Sequence, residues 1–135
     1  MRAKSQVNRV PAASAENALA HFQRRMSFET DCWDVHHAIV NNAADFVLLD
    51  VRSEALFRLG HVPTAVHLSH AKIAKSTLPP LCENGIYVVY CAGPHCNGAQ
   101  KAAIKIAQLE LPVKEMIGGV MGWQDEGFDL VPPKS

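Results

Sequence analysis

The sequence predicts an α/β fold, three-layered, with a mostly parallel central sheet of about five strands and helices on both faces. Three observations carry that expectation. Phe46-Val47-Leu48-Leu49 and Ile86-Tyr87-Val88-Val89-Tyr90 are apolar on both faces, as strands are when helices cover both sides of a parallel sheet. Between such runs lie segments whose apolar residues recur at helical spacing, clearest in Ala102, Ala103, Ile106, Ala107 and Leu109. Strand and helix alternate along the chain, which is how parallel sheets are wound.

Taken in order, residues 1 to about 11 read as flexible, ending at Pro11. From Ser14 onward, Ala15, Ala18, Leu19, Phe22 and Met26 keep helical spacing, with Glu16 in the first turn where the helix end favours an acid. This amphipathic helix is expected to pack on its own domain, a partner being the alternative. Residues 1–26 are thus set apart from a domain over 27–135. A short extended piece is expected around Met26 to Phe28, then Thr30 or Asp31 as the cap of a helix over about Cys32 to Asn41. That helix offers Trp33, Val35, His36, Ile39 and Val40 for burial. His36 and His37 are neighbours pointing about 100° apart, so they read as structural or surface residues, not as a chelating pair.

Phe46 to Val51 is a strand that delivers Asp50 and Arg52 to its C-terminal end, where open α/β sheets place their sites. Ser53 caps a helix through Leu59, and Gly60 ends it. His61 to Thr64 makes a turn, and Ala65 to Leu68 a short strand. Ser69 to Gly85 is loosely patterned and broken by Pro79-Pro80. After the strand Ile86–Tyr90 comes CAGPHCNGA, then a helix from Ala99 to Leu109. Val113 to Ile117 is the last strand. Gly118-Gly119 turns the chain into a short helix in which Trp123 packs on the sheet, and Pro132-Pro133 closes the domain.

At 135 residues the chain is one domain by length, large enough for its own core. Thirteen basic and thirteen acidic residues cancel, which removes the electrostatic case for nucleic acid or an anionic membrane. A hydrophobic content of 48% fits a globular protein. No apolar run approaches the roughly 20 residues that span a bilayer. The start, MRAKSQVNRVPAASAENALA, lacks a continuous apolar signal core; its acid-free stretch before Glu16 leaves organelle targeting as a minor alternative. Four cysteines do not make a dense disulfide framework, so a reducing, cytoplasmic setting is expected.

Cys91 is the residue with chemistry to offer. It stands where a strand stops and a loop of glycine and proline leads into a helix. The first amides of that helix have no intrahelical partner, and its end carries partial positive charge. Such an end stabilises a nearby anion by roughly 0.3–1 kcal/mol, about 2 when partly buried, which moves a thiol from ~8.5 toward ~7–8. The thiolate is the nucleophilic form. A buried strand-end cysteine is the bland alternative, and the junction with a glycine loop and a helix weighs against it.

Four pieces in order, LLDVRSEALFRLGHVPTAVHL, YVVYC with its loop, the helix beginning NGAQKAA, and IGGVMGWQDEG, resemble the rhodanese (sulfurtransferase) homology domain over about Phe28 to Pro133. The resemblance implies a rhodanese-like fold. It also implies that Cys91 takes a sulfane sulfur from thiosulfate, polysulfide or a persulfide and hands it, as a Cys91 persulfide, to cyanide or a thiol, protein thiols included. No cofactor beyond that covalent sulfur is implied. The backbone of Ala92, Gly93, Pro94, His95, Cys96 and Asn97 would form the cradle. Asp50 and Arg52 match the acidic and basic residues beside the site; a buried ion pair joining strand to helix is the equal alternative.

Two departures matter. The loop has no Arg or Lys between Cys91 and Asn97, and Cys96 falls where a cation often stands. Losing a charge-assisted contact to a dianion weakens recognition by roughly 1.5–3 kcal/mol, which counts against thiosulfate; His95 supplies charge only when protonated. Dual-specificity phosphatases of this fold need a Cys-x5-Arg loop, and Asn97 stands at the matching place, so phosphate transfer is not expected. Cys96, five residues from Cys91, either resolves the persulfide, forms a protective Cys91–Cys96 disulfide, or fills the base of the loop. A direct bond requires Cα atoms roughly 4.4–6.8 Å apart. Cys91, His95 and Cys96, with Cys82 or His70, are zinc-compatible types without paired spacing, so no metal is expected. Cys32 and Cys82 read as ordinary cysteines. Two other functions stand beside the sulfurtransferase: a non-catalytic regulatory or sulfur-sensing module, and a thiol–disulfide redox protein using Cys91 and Cys96.

Overall fold

Side-chain caps set where the first three α-helices of the computed structural model begin; it describes residues 4–133. Ser14 accepts from the Asn17 amide at the start of α1 (Ala15–Phe28), Asp31 from Asp34 at α2 (Cys32–Val40), and Ser53 from Leu56 at α3 (Glu54–Leu59). Each satisfies an amide that the helix itself leaves free. α4 (Gly98–Gln108) and α5 (Gly119–Asp125) start without a side-chain cap. The strands are β1 (Glu29–Asp31), β2 (Phe46–Asp50), β3 (Val66–His67), β4 (Ile86–Tyr90) and β5 (Val113–Ile117). They form one sheet in the order β1-β5-β4-β2-β3, and every pairing is parallel.

The alternation along β2 and β4 divides the core in two. Leu48, Val88, Tyr90 and Met116 face α2 and α5 with Val35, Val120 and Trp123; Leu49, Val51, Tyr87, Val89 and Cys91 face α4 with Ala99, Ala102 and Ile106. This is the expected three-layer α/β arrangement. Both strands are buried on both faces, hence their unbroken apolar sequences. Trp123 is buried and donates its indole N–H to the Asp129 carbonyl at 2.9 Å.

Several local expectations need correction. Within the stretch read as flexible, Gln6–Asn8 form a 3-10 turn capped by Ser5, and residues 1–3 lie outside the described residues. The extended piece expected at Met26–Phe28 is the last turn of α1, and the strand begins just after it, as β1 over Glu29–Asp31. Asp31, not Thr30, caps α2. Trp33 and Val40 are exposed, not buried. His36 stacks on Phe128 with ring centroids 3.7 Å apart, and His37 stacks on Trp33. α1 does not bury its apolar stripe on its own domain: Leu19, Phe22 and Met26 are 60%, 56% and 65% exposed. Its contacts run to β5 and β1, at the sheet edge, away from the two core layers. No helix among the described residues is long and apolar enough to cross a membrane.

Candidate active site

Cys91 leaves β4 on the α4 side of the sheet, one residue beyond the last strand pair. The Val51 amide donates to the Tyr90 carbonyl at 3.1 Å, which brings the end of β2 alongside. The turn before α5 fixes the other side. Gly118 and Gly119 have φ of +89° and +58°, and the Val120 and Met121 amides donate to the Cys91 and Ala92 carbonyls at 3.1 and 2.9 Å. A Cβ on Gly119 would lie 2.3 Å from the Cys91 carbonyl oxygen, so only glycine lets this turn approach the loop so closely. Below the turn, the Cys32 sulfur lies 3.5 Å from both the Ile117 and Gly119 carbonyl oxygens. Burial pushes the Cys32 thiol up to about 11, with the charges of Asp31 and Glu126 adding to it. Cys32 is therefore a structural thiol, not a nucleophile.

Asp50 is fully buried. Its carboxylate accepts from the Arg52 amide at 3.0 Å, from Arg52 Nε at 3.0 and 3.1 Å, from Arg52 Nη2 at 2.7 Å and from the Tyr90 hydroxyl at 2.7 Å. Arg52 Nη2 also donates to the Gly60 carbonyl at 2.7 Å, and the Val62 amide donates to the Tyr90 oxygen at 3.1 Å. Burial pulls the guanidinium down, but the Asp50 hydrogen bond and charge outweigh it and raise Arg52. Burial first, then the Asp50 charge, raises Tyr90. With its side chain 7% exposed, Arg52 borders the site while its charge is committed to Asp50.

The loop carries Cys96 back over Cys91. The Cys96 amide donates to the Gly93 carbonyl at 3.1 Å, and Cys91 and Cys96 are joined by a disulfide with Cα atoms 6.3 Å apart. The Gly98 amide, in the first turn of α4, donates to the Cys96 sulfur at 3.4 Å. Among the described residues no hydrogen bond ends on the Cys91 sulfur in this disulfide form. A Cβ on Gly98 would stand 3.0 Å from the Cys91 sulfur and 3.4 Å from that of Cys96, so both sulfurs pack on bare backbone. Pro94, His95 and Asn97 are exposed, whereas Cys91 is 6% exposed.

Two clefts flank the cysteine pair. One, about 350 Å3, has Cys91, Cys96 and Gly98 on one side and Arg52, Ser53, Leu56, Ser69 and His70 on the other. The second, about 380 Å3, lies between the loop and Glu29, Gln100, Glu115 and Gly118-Gly119. A larger recess of about 540 Å3, lined by Phe57, His61 and Pro132-Pro133, holds no cysteine. Ser69, Glu29 and Glu115 were not singled out by sequence, and His70 was weighed there only as a zinc-compatible residue. Ser69-His70 follows β3 after one residue, at the C-terminal strand end where sites of this fold class gather, although its closeness to Cys91 comes from the packing of the sheet. The Lys105 ammonium pins this segment by donating to the His70 carbonyl at 2.8 Å. Among the described residues no three or more His, Cys, Asp or Glu side chains are grouped to hold a metal ion.

A family model described as a rhodanese-like domain matches residues 33–126, spanning α2 through α5 and the whole cysteine loop. The chain belongs to the rhodanese-like domain family. This rhodanese-like domain is 29% identical over 106 residues to an adenylyltransferase and sulfurtransferase of Candida albicans, covering 72% of this chain and 24% of the relative. It is 29% identical over 88 residues to an HTH-type transcriptional regulator of Mycobacterium tuberculosis, covering 65% of this chain and 38% of the relative. The chain thus spans well under half the length of either. Among solved structures, the BH2092 protein of Bacillus halodurans superposes with a TM-score of 0.82 at 36% identity, covering 87% of this chain and 85% of that one. The family includes sulfurtransferases.

Proposed function

We propose that this rhodanese-like domain is a sulfurtransferase whose carrier is a persulfide on Cys91. The observation that carries the reading is the Cys91 sulfur at the floor of a cleft, against the side-chain-free first residue of α4. Reduction of the Cys91–Cys96 bond comes first. The Cys91 thiolate then attacks the sulfane sulfur of a donor, and the bond to the donor breaks with its electron pair leaving on the donor. An acceptor thiolate or cyanide removes the outer sulfur and restores Cys91. The amides of the loop and of the α4 start stabilise negative charge on the sulfurs. With no cation in the loop, a persulfide or polysulfide suits the site better than dianionic thiosulfate. A cytoplasmic setting belongs to the same proposal, because the cycle needs free thiols.

The test is to reduce the protein, remove the reductant, and incubate it separately with thiosulfate and with glutathione persulfide. Peptide mass spectrometry is expected to find one added sulfur on Cys91, more from the persulfide, and none there in Cys91→Ser. No added sulfur from either donor removes the reading. The disulfide favours a second one, thiol–disulfide redox exchange, which predicts reversible oxidation without sulfur uptake.

A further inference from the structure

We propose that Cys96 is a resolving cysteine, which makes the domain a sulfide-releasing persulfide reductase as well as a transferase. The inference rests on the Cys91 persulfide reading above and adds the fate of the sulfur.

The loop is built so that Cys96 faces Cys91 for reasons independent of the bond between them. Its first carbonyls, of Cys91 and Ala92, are held by the Val120 and Met121 amides. Its middle is folded by the Cys96 amide on the Gly93 carbonyl, and Gly93 is backed by Met121 so closely that a Cβ there would lie 2.7 Å from the Met121 sulfur. Its end is fixed by α4, whose first residue directs its amide at the Cys96 sulfur. Reduction therefore leaves a second thiol poised over the first, with an amide at the start of an eleven-residue helix favouring its thiolate form.

That geometry decides which sulfur Cys96 attacks. The native loop joins Cys96 to Cys91 with their Cα atoms 6.3 Å apart, so the accessible reaction is attack on the inner sulfur, Cys91 Sγ. The Cys96 thiolate contributes the electron pair of the new Cys91–Cys96 bond. The Cys91 Sγ–outer sulfur bond breaks, and its pair leaves with the outer sulfur as hydrosulfide, which keeps the persulfide proton. Cys96 is oxidised, the transferred sulfur is reduced, and the product is the disulfide seen in the structure. An external dithiol resets the pair by becoming a cyclic disulfide and returning two protein thiols. A monothiol acceptor in solution competes with a thiol already held in the loop at high effective concentration.

The experiment is a single turnover with the full chain, reduced and freed of thiol, given less than one equivalent of glutathione persulfide. Sulfide is trapped as its bimane derivative, corrected for a protein-free control, and protein mass is followed in parallel. Wild type is expected to release one sulfide per sulfur taken up and to end as the Cys91–Cys96 disulfide. Cys96→Ser and Cys96→Ala are expected to hold the sulfur on Cys91 at least about tenfold longer, releasing sulfide rapidly only when thiol is added in excess of the glutathione that the transfer itself sets free. Retention of the added sulfur by wild type, on either cysteine, overturns the resolving role while leaving the transferase reading intact. Equal sulfide release by wild type and both variants overturns it too. Absence of sulfur uptake in all three proteins removes the persulfide chemistry and this inference together.

Discussion

One residue type occupies opposite chemical situations in this fold, and burial alone does not separate them. Cys32 and Cys91 are about equally buried, yet Cys32 faces carbonyl oxygens and acidic charges that favour its neutral thiol. Cys91 ends a strand and packs on the bare backbone of Gly98 at the start of α4, with no acidic side chain or carbonyl oxygen hydrogen-bonded to its sulfur among the described residues. Asp50 shows the same dependence on partners. A fully buried carboxylate persists because a guanidinium, a hydroxyl and an amide all bind it. Asp50→Asn leaves the Arg52 charge buried and unpaired, so it is expected to lower unfolding free energy by about 3–5 kcal/mol. Urea denaturation checks this: the midpoint falls with the slope unchanged, and a shift too small to resolve would show that the pair does not support the fold.

Among the elements, the pairing of β1 with β5 sets two acidic residues against each other. The register places Glu29 opposite Glu115, two like charges on paired strands. Burial, then the Glu29 charge, raises Glu115. Arg25, 3.0 Å from Glu29, is a surface partner that relieves the repulsion only in part. A raised carboxyl means that the native state binds more protons than the unfolded chain between the two titrations, so stability falls as pH rises through that interval. Glu115→Gln removes the ionisation and one of the opposed charges. It is expected to stabilise the protein by about 0.2–1 kcal/mol at neutral pH, with the gain vanishing once pH drops below the carboxylate range. Thermal melting at neutral and acid pH checks it, and a gain independent of pH would contradict the assignment.

At the scale of the whole molecule, stability resides in the two layers about the sheet, and α1 contributes little. Its stripe of Leu19, Phe22 and Met26 stands in solvent, whereas Ile106 of α4 is fully buried. Phe22→Ser is therefore expected to change stability by no more than about 0.5 kcal/mol, against about 2–5 kcal/mol for Ile106→Ala. Paired thermal melts compare the two directly. A loss at Phe22 approaching that at Ile106 would mean that the stripe is covered in solution.

The fold class, the family and the strand-end position of Cys91 were legible in the sequence because they depend on local pattern. Strands buried on both faces are apolar throughout, and glycines at strand-to-helix junctions mark where the chain must turn tightly or approach another segment. Asp50 and Arg52 could be placed at the end of β2, but not their partners, since these include the Tyr90 hydroxyl, forty residues from Asp50, and the Gly60 carbonyl, which α3 brings back to Arg52. The period of α1 foretold its helix without telling what, if anything, lies against it. Helical spacing shows that a face is apolar, whereas its burial depends on where the other elements are. The two clefts, the placing of Ser69-His70 beside Cys91, and the meeting of Cys96 with Cys91 were likewise left to the tertiary structure. Contacts of this kind are made between segments that only the packed sheet brings together, and spacing along the chain does not encode the distance between two sulfurs across a folded loop.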